Sequence, residues 1–176
     1  MSAGNVSGNG GGVGTGHGRG CKTGAAGRIT AKDERIRRTF RGLYDEHSTY
    51  SATDFLYKLV KRAPFPIRLL RTDNGTAFAN GLLATKSKRR RMFEEALLEM
   101  GIADQRIRIA TPRHKGKAER QRRTDALRFY SKTRAYSLED GRRQLAKYQA
   151  QANDCIMTCL GMRSPSEALA RYPGAM

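Results

Sequence analysis

The chain has 176 residues, of which 34 are Lys or Arg and 16 are Asp or Glu, so its formal net charge is +18. A hydrophobic fraction of 38% suffices for the core of one domain, and no apolar run is long enough to span a membrane. The excess positive charge predicts a polyanionic partner, with nucleic acid as the first candidate because binding its phosphates releases counterions. Three cysteines without framework spacing favour a reduced, cytoplasmic setting.

The N-terminal segment is dominated by glycine. Residues 1–27 hold 11 of the 19 glycines, and the first 32 residues contain no Asp or Glu. Glycine loses more backbone freedom on folding than any other residue, and this segment offers little apolar surface to bury. The composition therefore predicts a flexible tail over 1–27, followed by one ordered domain over 28–172.

Strands and helices alternate along the predicted domain, which indicates an α/β layered fold. The first half shows two short β-compatible segments at 28–32 and 38–44, and then a helix that Ser51 caps and Pro64 ends. In that helix Phe55, Leu56, Leu59 and Val60 form one apolar stripe. A buried strand follows at 67–72 and ends in a turn sequence, Asp73-Asn74-Gly75.

The second half is predominantly helical and basic. We predict helices at 88–100, 116–134 and 138–153, the last capped by Ser137, and a strand with one basic face at 106–109. A short final helix begins at Ser164-Pro165, where Glu167 completes a capping box.

Two carboxylates stand out by their context. Asp73 follows a hydrophobic strand at a turn, where α/β proteins often carry site residues. Glu119 lies in the most basic part of the chain, where an i,i+4 ion pair with Arg123 would equally account for it. Phosphodiester transfer needs carboxylates that hold Mg²⁺ and cations that hold the nucleic-acid backbone. Together, a strand-end Asp and an early-helix Glu in a basic groove would supply both.

Two motifs carry a resemblance to a known family. The chain reads TDNGTxF at 72–78 and TPRHxGKxER at 111–120, with Phe55-Leu56 before them, Gly101-Ile102 between them and Ser164-Pro165 after them. In this order the motifs resemble retroviral-type integrase cores. They are still more similar to bacterial insertion-sequence transposases of the DDE class, in the group related to the IS3 and IS481 elements. The resemblance covers roughly residues 30–172.

The resemblance implies an RNase H-like mixed sheet flanked by helices, and DNA integration or transposition by strand transfer that depends on Mg²⁺ or Mn²⁺. The family's second catalytic Asp corresponds to Asp73 and its catalytic Glu to Glu119, and both would ligate metal. The DNA-binding residues that it implies are Asn74, Thr76, Arg113, His114, Lys115, Lys117 and Arg120. Expected partners are DNA, as element ends and target, and no membrane, with a homo-oligomer left open. The expected location is the bacterial cytoplasm, at the nucleoid.

The chain departs from this family at its start. The family's first catalytic Asp lies on the opening, central strand, which would precede Ile29 and so fall in the acid-free glycine segment. We therefore predict an N-terminally truncated core whose first central strand is missing or degrading and whose first metal ligand is absent. Asp33 corresponds to an acid at the end of the second strand that the family does not use in catalysis.

These departures leave more than one function open. The first is a DDE strand transferase, and the second is a non-catalytic, basic DNA-binding remnant of a truncated transposase. A third is a small basic RNA-binding protein, for which Tyr130, Tyr136 and Tyr148 could stack on bases, although the apolar stripe around Tyr148 favours core packing. Apolar neighbours likewise predict core packing for Cys155 and Cys159, in preference to zinc binding.

Overall fold

A computed structural model of the chain describes residues 3–9, 27–72, 88–106 and 120–172, with the backbone path alone at 3–9, 88–91 and 106. Within these residues, one mixed sheet contains β1 (Ala3–Asn9), β2 (Gly27–Asp33), β3 (Thr39–Tyr44), β4 (Leu69–Thr72) and β5 (Ala103–Arg106). The strand order is β3-β2-β1-β4-β5. β2 is antiparallel to β1 and β3, whereas β4 is parallel to β1 and β5. The prediction of an α/β fold is confirmed.

The central strand β1 comes from the glycine-rich segment that the composition predicts to be a flexible tail. It pairs with β2 from Gly4–Asp33 to Asn9–Arg28 and with β4 from Ala3–Leu69 to Val6–Thr72. Of the two predicted alternatives, a missing first central strand is therefore wrong, while a degrading strand stays a prediction. The physical reason is that β1 has a partner on each side, and without it both neighbours would leave backbone groups unpaired. Residues 10–26 lie outside the described residues, and the tail stays a prediction there.

Proline at the centre of β1 tests its place in the sheet. Val6→Pro removes a backbone N–H from a strand with neighbours on both sides, so we expect the free energy of unfolding to fall by about 3 kcal/mol or more. Val6→Ala keeps the N–H and is the matched control, with a smaller loss. Urea unfolding followed by circular dichroism measures both. Equal midpoints for Val6→Pro and the parent would show that β1 does not hold the sheet together.

The first two helices are α1 (Thr49–Arg62) and α2 (Lys88–Glu99). Helix α3 comprises the helix at 120–125 and the π-helical turn Ala126–Tyr130 that continues it. It is followed by α4 (Leu138–Asp154), a 3-10 turn at Thr158–Leu160 and α5 (Pro165–Ala170). Every helix among the described residues is too short or too polar to span a membrane.

The helix starts were predicted well at two of three places. Ser137 and Ser164 cap α4 and α5 as predicted, and the capping box of Ser164 with Glu167 is complete. For α1 the predicted cap is wrong by one turn. Ser48 is the extended residue before the helix, and its hydroxyl oxygen accepts from the backbone N–H of Ser51 at 3.2 Å. Ser51 is therefore a buried first-turn residue.

Two predicted elements differ from the described ones. The strand predicted at 106–109 is observed at Ala103–Arg106, and residues 107–109 lie outside the described residues. The long helix predicted at 116–134 ends early, since its π-helical turn finishes at Tyr130 and the chain then turns at Ser131. Residues 116–119 are also outside the described range.

The larger apolar core lies where one face of the sheet packs against α1 and α2. Its members include Ile29, Phe40, Tyr44, Phe55, Leu56, Leu59, Leu70, Phe93, Leu97 and Ile102. The predicted stripe of α1 is confirmed for Phe55, Leu56 and Leu59, while Val60 is exposed. A Cβ at Gly42 would lie 2.7 Å from the Phe55 ring, so glycine there lets α1 approach β3 closely. On the other face a smaller cluster forms around Leu43, Phe129 and Leu145.

Helix α4 covers the open edge of β3 with polar side chains. Gln149 Oε1 accepts from the Arg41 backbone N–H at 2.7 Å, and the Asn153 amide bonds both the N–H and the carbonyl of Thr39 at 3.0 Å. Arg142 Nε donates to the Leu43 carbonyl at 2.9 Å. Backbone groups of an edge strand are a template for pairing with another chain, and these side chains occupy them.

Candidate functional site

Most of the predicted site residues lie outside the described part of the chain. These are Asp73, Asn74, Thr76, Arg113, His114, Lys115, Lys117 and Glu119. The ninth, Arg120, is the first described residue of α3 and is exposed. The described residues therefore form the frame to which the predicted site is attached, at the end of β4 and at the start of α3.

The end of β4 lies at a place where α/β sheets commonly bind ligands. In chain order, β2 and β3 are added to one side of β1, and β4 and β5 are added to the other side. The strand order therefore reverses between β1 and β4, which makes this position a topological switch point. Ligands of open α/β sheets bind outside the carboxyl ends of the strands at such a point. Thr72, the last residue of β4, is buried, and its hydroxyl donates to Asp104 Oδ1 of β5 at 3.0 Å. Asp73 is the next residue in sequence.

The strand beside β4 contributes no carboxylate. Val6 of β1 is the partner of Thr72, and the residues of β1 are Ala, Gly, Asn, Val, Ser, Gly and Asn. Asp33, at the end of β2, is buried and has a structural role. Its Oδ1 accepts from the backbone N–H groups of Arg35 at 2.9 Å and Ile36 at 2.7 Å, which closes the turn toward β3. The observed strand β1 thus does not restore the acid that the resemblance requires.

The start of α3 is tied to the sheet beside β1. Lys32 Nζ of β2 donates to Gln121 Oε1 at 2.8 Å, and Gln121 Nε2 donates to Asp125 Oδ1 at 2.9 Å. Burial, with the charges of Arg37 and Arg41, lowers the pKa of Lys32 below its ordinary value. Because β1 alone separates β2 from β4, this attachment lies about 10 Å from β4 across the sheet.

A buried ion pair fixes the middle of α3. Arg41 Nε and Nη2 donate to the two carboxylate oxygens of Asp125 at 3.0 and 2.9 Å, and the two side chains are only 1% and 5% exposed. The Tyr148 hydroxyl of α4 also donates to Asp125, at 2.9 Å. Burial and the charge of Asp125 raise the pKa of Tyr148 to about 12. The network joins β3, α3 and α4 into one frame.

Sequence reasoning missed Asp125. The available signal was that residues 120–134 contain six basic residues and only one acid, Asp125. Nothing in the sequence says which cation it meets, since Arg41 lies 84 positions away. Because Asp125 is paired with Arg41 of β3, it does not neutralise the exposed arginines of α3.

The outer face of α3 is basic. Arg120, Arg123 and Arg128 are exposed, and we call these three residues the basic face of α3. Leu127, 60% exposed, lies between them. No ion pair joins the basic face to any other described residue. Such a surface can bind a polyanion through its phosphates.

The three tyrosines considered for base stacking divide into two groups. Tyr148 stacks on Phe129 with ring centroids 4.9 Å apart, which confirms its predicted packing role. Tyr130 packs edge-on against Phe129, and the Arg28 guanidinium lies 3.8 Å from its ring centroid. Tyr136 is 82% exposed and is therefore the one of the three whose ring is open to a partner.

The cysteines differ from prediction. Cys155 and Cys159 are exposed, so core packing is wrong for both; the reason is that α4 ends at Asp154, and both residues follow the end of its buried stripe. No cluster of three or more His, Cys, Asp or Glu side chains suited to a metal ion occurs within the described residues.

Comparisons with known proteins give a fold and no sequence family. No protein-family model matches the chain, and no curated protein is a significant match. Among solved structures, the chain is similar to the catalytic core domain of BIV integrase, with a TM-score of 0.60. The similarity covers 93% of this chain and 91% of the integrase chain at 14% sequence identity. The chain therefore has an integrase-core-like α/β fold.

Proposed function

We propose that the chain is an RNase H-like integrase core, related to the DDE transposases, that binds DNA and acts in its integration or transposition. The observation that carries the proposal is the sheet order, with β1 antiparallel to β2 and parallel to β4. In this order Asp73 directly follows β4. Glu119 directly precedes α3, which is bonded to β2, and β1 alone separates β2 from β4. The fold similarity to an integrase core supports the same proposal.

The proposal brings two carboxylates together over β1. Asp73 directly follows Thr72 at the crevice between β1 and β4, and Glu119 directly precedes α3, which Lys32 ties to the sheet. The Arg41–Asp125 pair keeps α3 in this place and so limits where Glu119 can lie.

Divalent metal is part of the proposal, with Asp73 and Glu119 as ligands of Mg²⁺ or Mn²⁺. Carboxylate oxygens are the ligands that these hard cations prefer. The neutral Asn and Ser residues of β1 do not replace a third carboxylate. With these two carboxylates, the proposed site would hold one divalent cation, whereas a three-carboxylate site would hold two. When bound, such an ion would polarise a phosphodiester oxygen.

DNA binding rests on the cations around the same edge. Arg120 begins the basic face of α3, and the segment before it supplies Arg113, His114, Lys115 and Lys117 as further proposed contacts. Asn74 and Thr76 would line the site after β4. The proposed partners are element ends and target DNA, with a homo-oligomer and a nucleoid location as further parts of the proposal.

A strand-cleavage assay tests the enzymatic part. A labelled terminal-repeat duplex is incubated with the full chain in Mg²⁺ or Mn²⁺, and nicked or joined products are measured. We expect Asp73→Asn and Glu119→Gln each to abolish the products, while Glu139→Gln, on the exposed surface of α4, leaves them unchanged. Products that persist in either acid variant would exclude the assignment.

The acid-free strand β1 favours a second candidate function. A chain without the first carboxylate would bind DNA without cutting it, as a non-catalytic remnant of a transposase. This candidate predicts salt-sensitive, sequence-independent DNA binding and no product in either metal. Binding of single-stranded RNA in preference to duplex DNA would contradict both candidates.

A further inference from the structure

A second group of basic residues lies near the edge of the sheet that β3 forms, away from the end of β4. A cavity of about 170 Å³ opens beside the edge strand β3, between α1 and α4, three strands away from β4. Among the described residues, its lining includes Arg41, Lys58, Arg62 and Arg142 and no acidic side chain. Basic residues from three separate elements therefore meet around one small space.

Of the four basic side chains that line this cavity, two are paired with a carboxylate. Asp54 pairs with Lys58 at 2.5 Å and accepts from the Tyr44 hydroxyl at 2.8 Å, and Asp125 pairs with Arg41. Arg62 and Arg142 form no ion pair with any other residue that the structure describes. Like charges that share a cavity repel each other, and an anion between them would remove that repulsion.

The pKa values of the neighbouring groups reflect the same field. Burial works against ionisation of Asp54, yet hydrogen bonds from Lys58 and Tyr44 and the charge of Arg142 hold its pKa below the ordinary value. Burial and the bond to Asp54 raise the pKa of Tyr44, against the opposing charges of Arg142 and Arg62. The uncompensated cations thus act directly on the Tyr44–Asp54 pair.

Hydrogen-bond donors remain unused beside the cavity. Of the Arg142 guanidinium, only Nε is bonded to a described residue. Arg142 is held to the Leu43 carbonyl through Nε, which anchors the base of its guanidinium and orients its outer nitrogens. Phosphate oxygens accept strongly from guanidinium and ammonium groups, and arginine is suited to bind two of them at once.

We propose that this cavity binds a phosphate group, either as free inorganic phosphate or as a phosphodiester of a nucleic-acid backbone. Its volume is well below the roughly 300–1,000 Å³ of pockets for drug-sized ligands, so a single small anion is the appropriate class of ligand. Arg62 and Arg142 supply the charge, and Lys58, which is 57% exposed, also lines the cavity. The proposal does not depend on catalysis at the edge of β4.

The test compares two double variants of the full chain with equal net charge. Arg62→Gln/Arg142→Gln removes the uncompensated cations, and Lys61→Gln/Arg143→Gln removes the adjacent exposed cations of the same helices, which do not line the cavity. Inorganic phosphate is titrated at constant ionic strength against chloride, and the midpoint of thermal unfolding reports binding. We expect saturable stabilisation by phosphate in the parent and the control, and affinity at least about tenfold weaker in the cavity variant.

A single change guards against loss of folding in the double variant. Arg62→Gln leaves the Arg142–Leu43 bond intact, and it should weaken phosphate binding where Lys61→Gln does not. Equal phosphate responses of these two single variants, or no saturable response in the parent, would overturn the proposal.

Duplex DNA separates the two sources of phosphate. If the ligand is a backbone phosphodiester, the cavity variant binds a short duplex more weakly than the control does, and free phosphate competes. If the ligand is free phosphate, the two double variants bind DNA equally while only the cavity variant loses stabilisation by phosphate.

Discussion

Replacing Asp125 with alanine is expected to lower the free energy of unfolding by about 3–5 kcal/mol, because it leaves a buried charge without its partner. Arg41 is 1% exposed, and both of its bonds to Asp125 would be lost together. The hydroxyl of Tyr148 and the amide of Gln121 would lose their acceptor in the same change. Guanidinium unfolding at constant salt gives the measurement.

Two further variants make this expectation specific. Lys58→Ala breaks the exposed ion pair with Asp54, in which Lys58 is 57% exposed, and should cost no more than about 1 kcal/mol. Arg41→Met combined with Asp125→Leu removes both buried charges, so the double variant should be much closer in stability to the parent than Asp125→Ala is. An Asp125→Ala protein whose stability lies within about 1 kcal/mol of the parent would show that α3 is not held by this pair.

The elements predicted correctly are those whose signals are local. β2 and β3 read as short β-compatible segments, and α4 begins where Ser137 offers a hydroxyl to the N–H of Asp140 at 3.1 Å. Such signals need only a few consecutive residues. The cap of α1 shows the limit, because Ser48 and Ser51 are one turn apart and either could cap a helix until the backbone conformation is known.

Strand β1 was missed because its stability does not come from its own residues. The sequence AGNVSGN has low strand propensity and no alternation of apolar residues. Its register with β2 and β4 gives it backbone partners along both sides, and those partners lie far away in the chain. Composition reports the entropy that glycine loses on ordering, but it carries no information about hydrogen bonds with distant strands.

For the candidate site, short motifs predict Asp73 and Glu119, which lie outside the described residues and stay predictions. The groups that shape the surrounding frame were not predictable in the same way. Arg41 and Asp125 are separated by 84 positions, and each looks like an ordinary surface charge in sequence. The cavity beside β3 likewise unites α1 and α4 only through the fold. A motif can be recognised from consecutive residues, whereas the two members of a buried pair are brought together only by the folded arrangement of the chain.

Raising the salt concentration from 50 to 200 mM is expected to weaken binding to duplex DNA by about a thousandfold, if six or more phosphates are contacted. The chain carries a net charge of +18, and the basic face of α3 presents three arginines without acidic partners among the described residues. Each phosphate contact contributes about 0.9 to the slope of log affinity against log salt. Fluorescence anisotropy with a short labelled duplex measures that slope.

A matched pair of triple variants assigns the effect to α3. Changing Arg120, Arg123 and Arg128 to Gln should reduce the magnitude of the slope by about 2.7 if each contacts one phosphate. The control changes Arg68, Arg163 and Arg171 to Gln, which are also exposed and lower the net charge equally from other places on the surface. A flat salt response in the parent would exclude phosphate binding altogether, and equal slopes for the two triple variants would move the DNA away from α3. Because Asp73→Asn removes a proposed metal ligand and no basic residue, it should leave the slope unchanged, which separates DNA binding from strand cleavage.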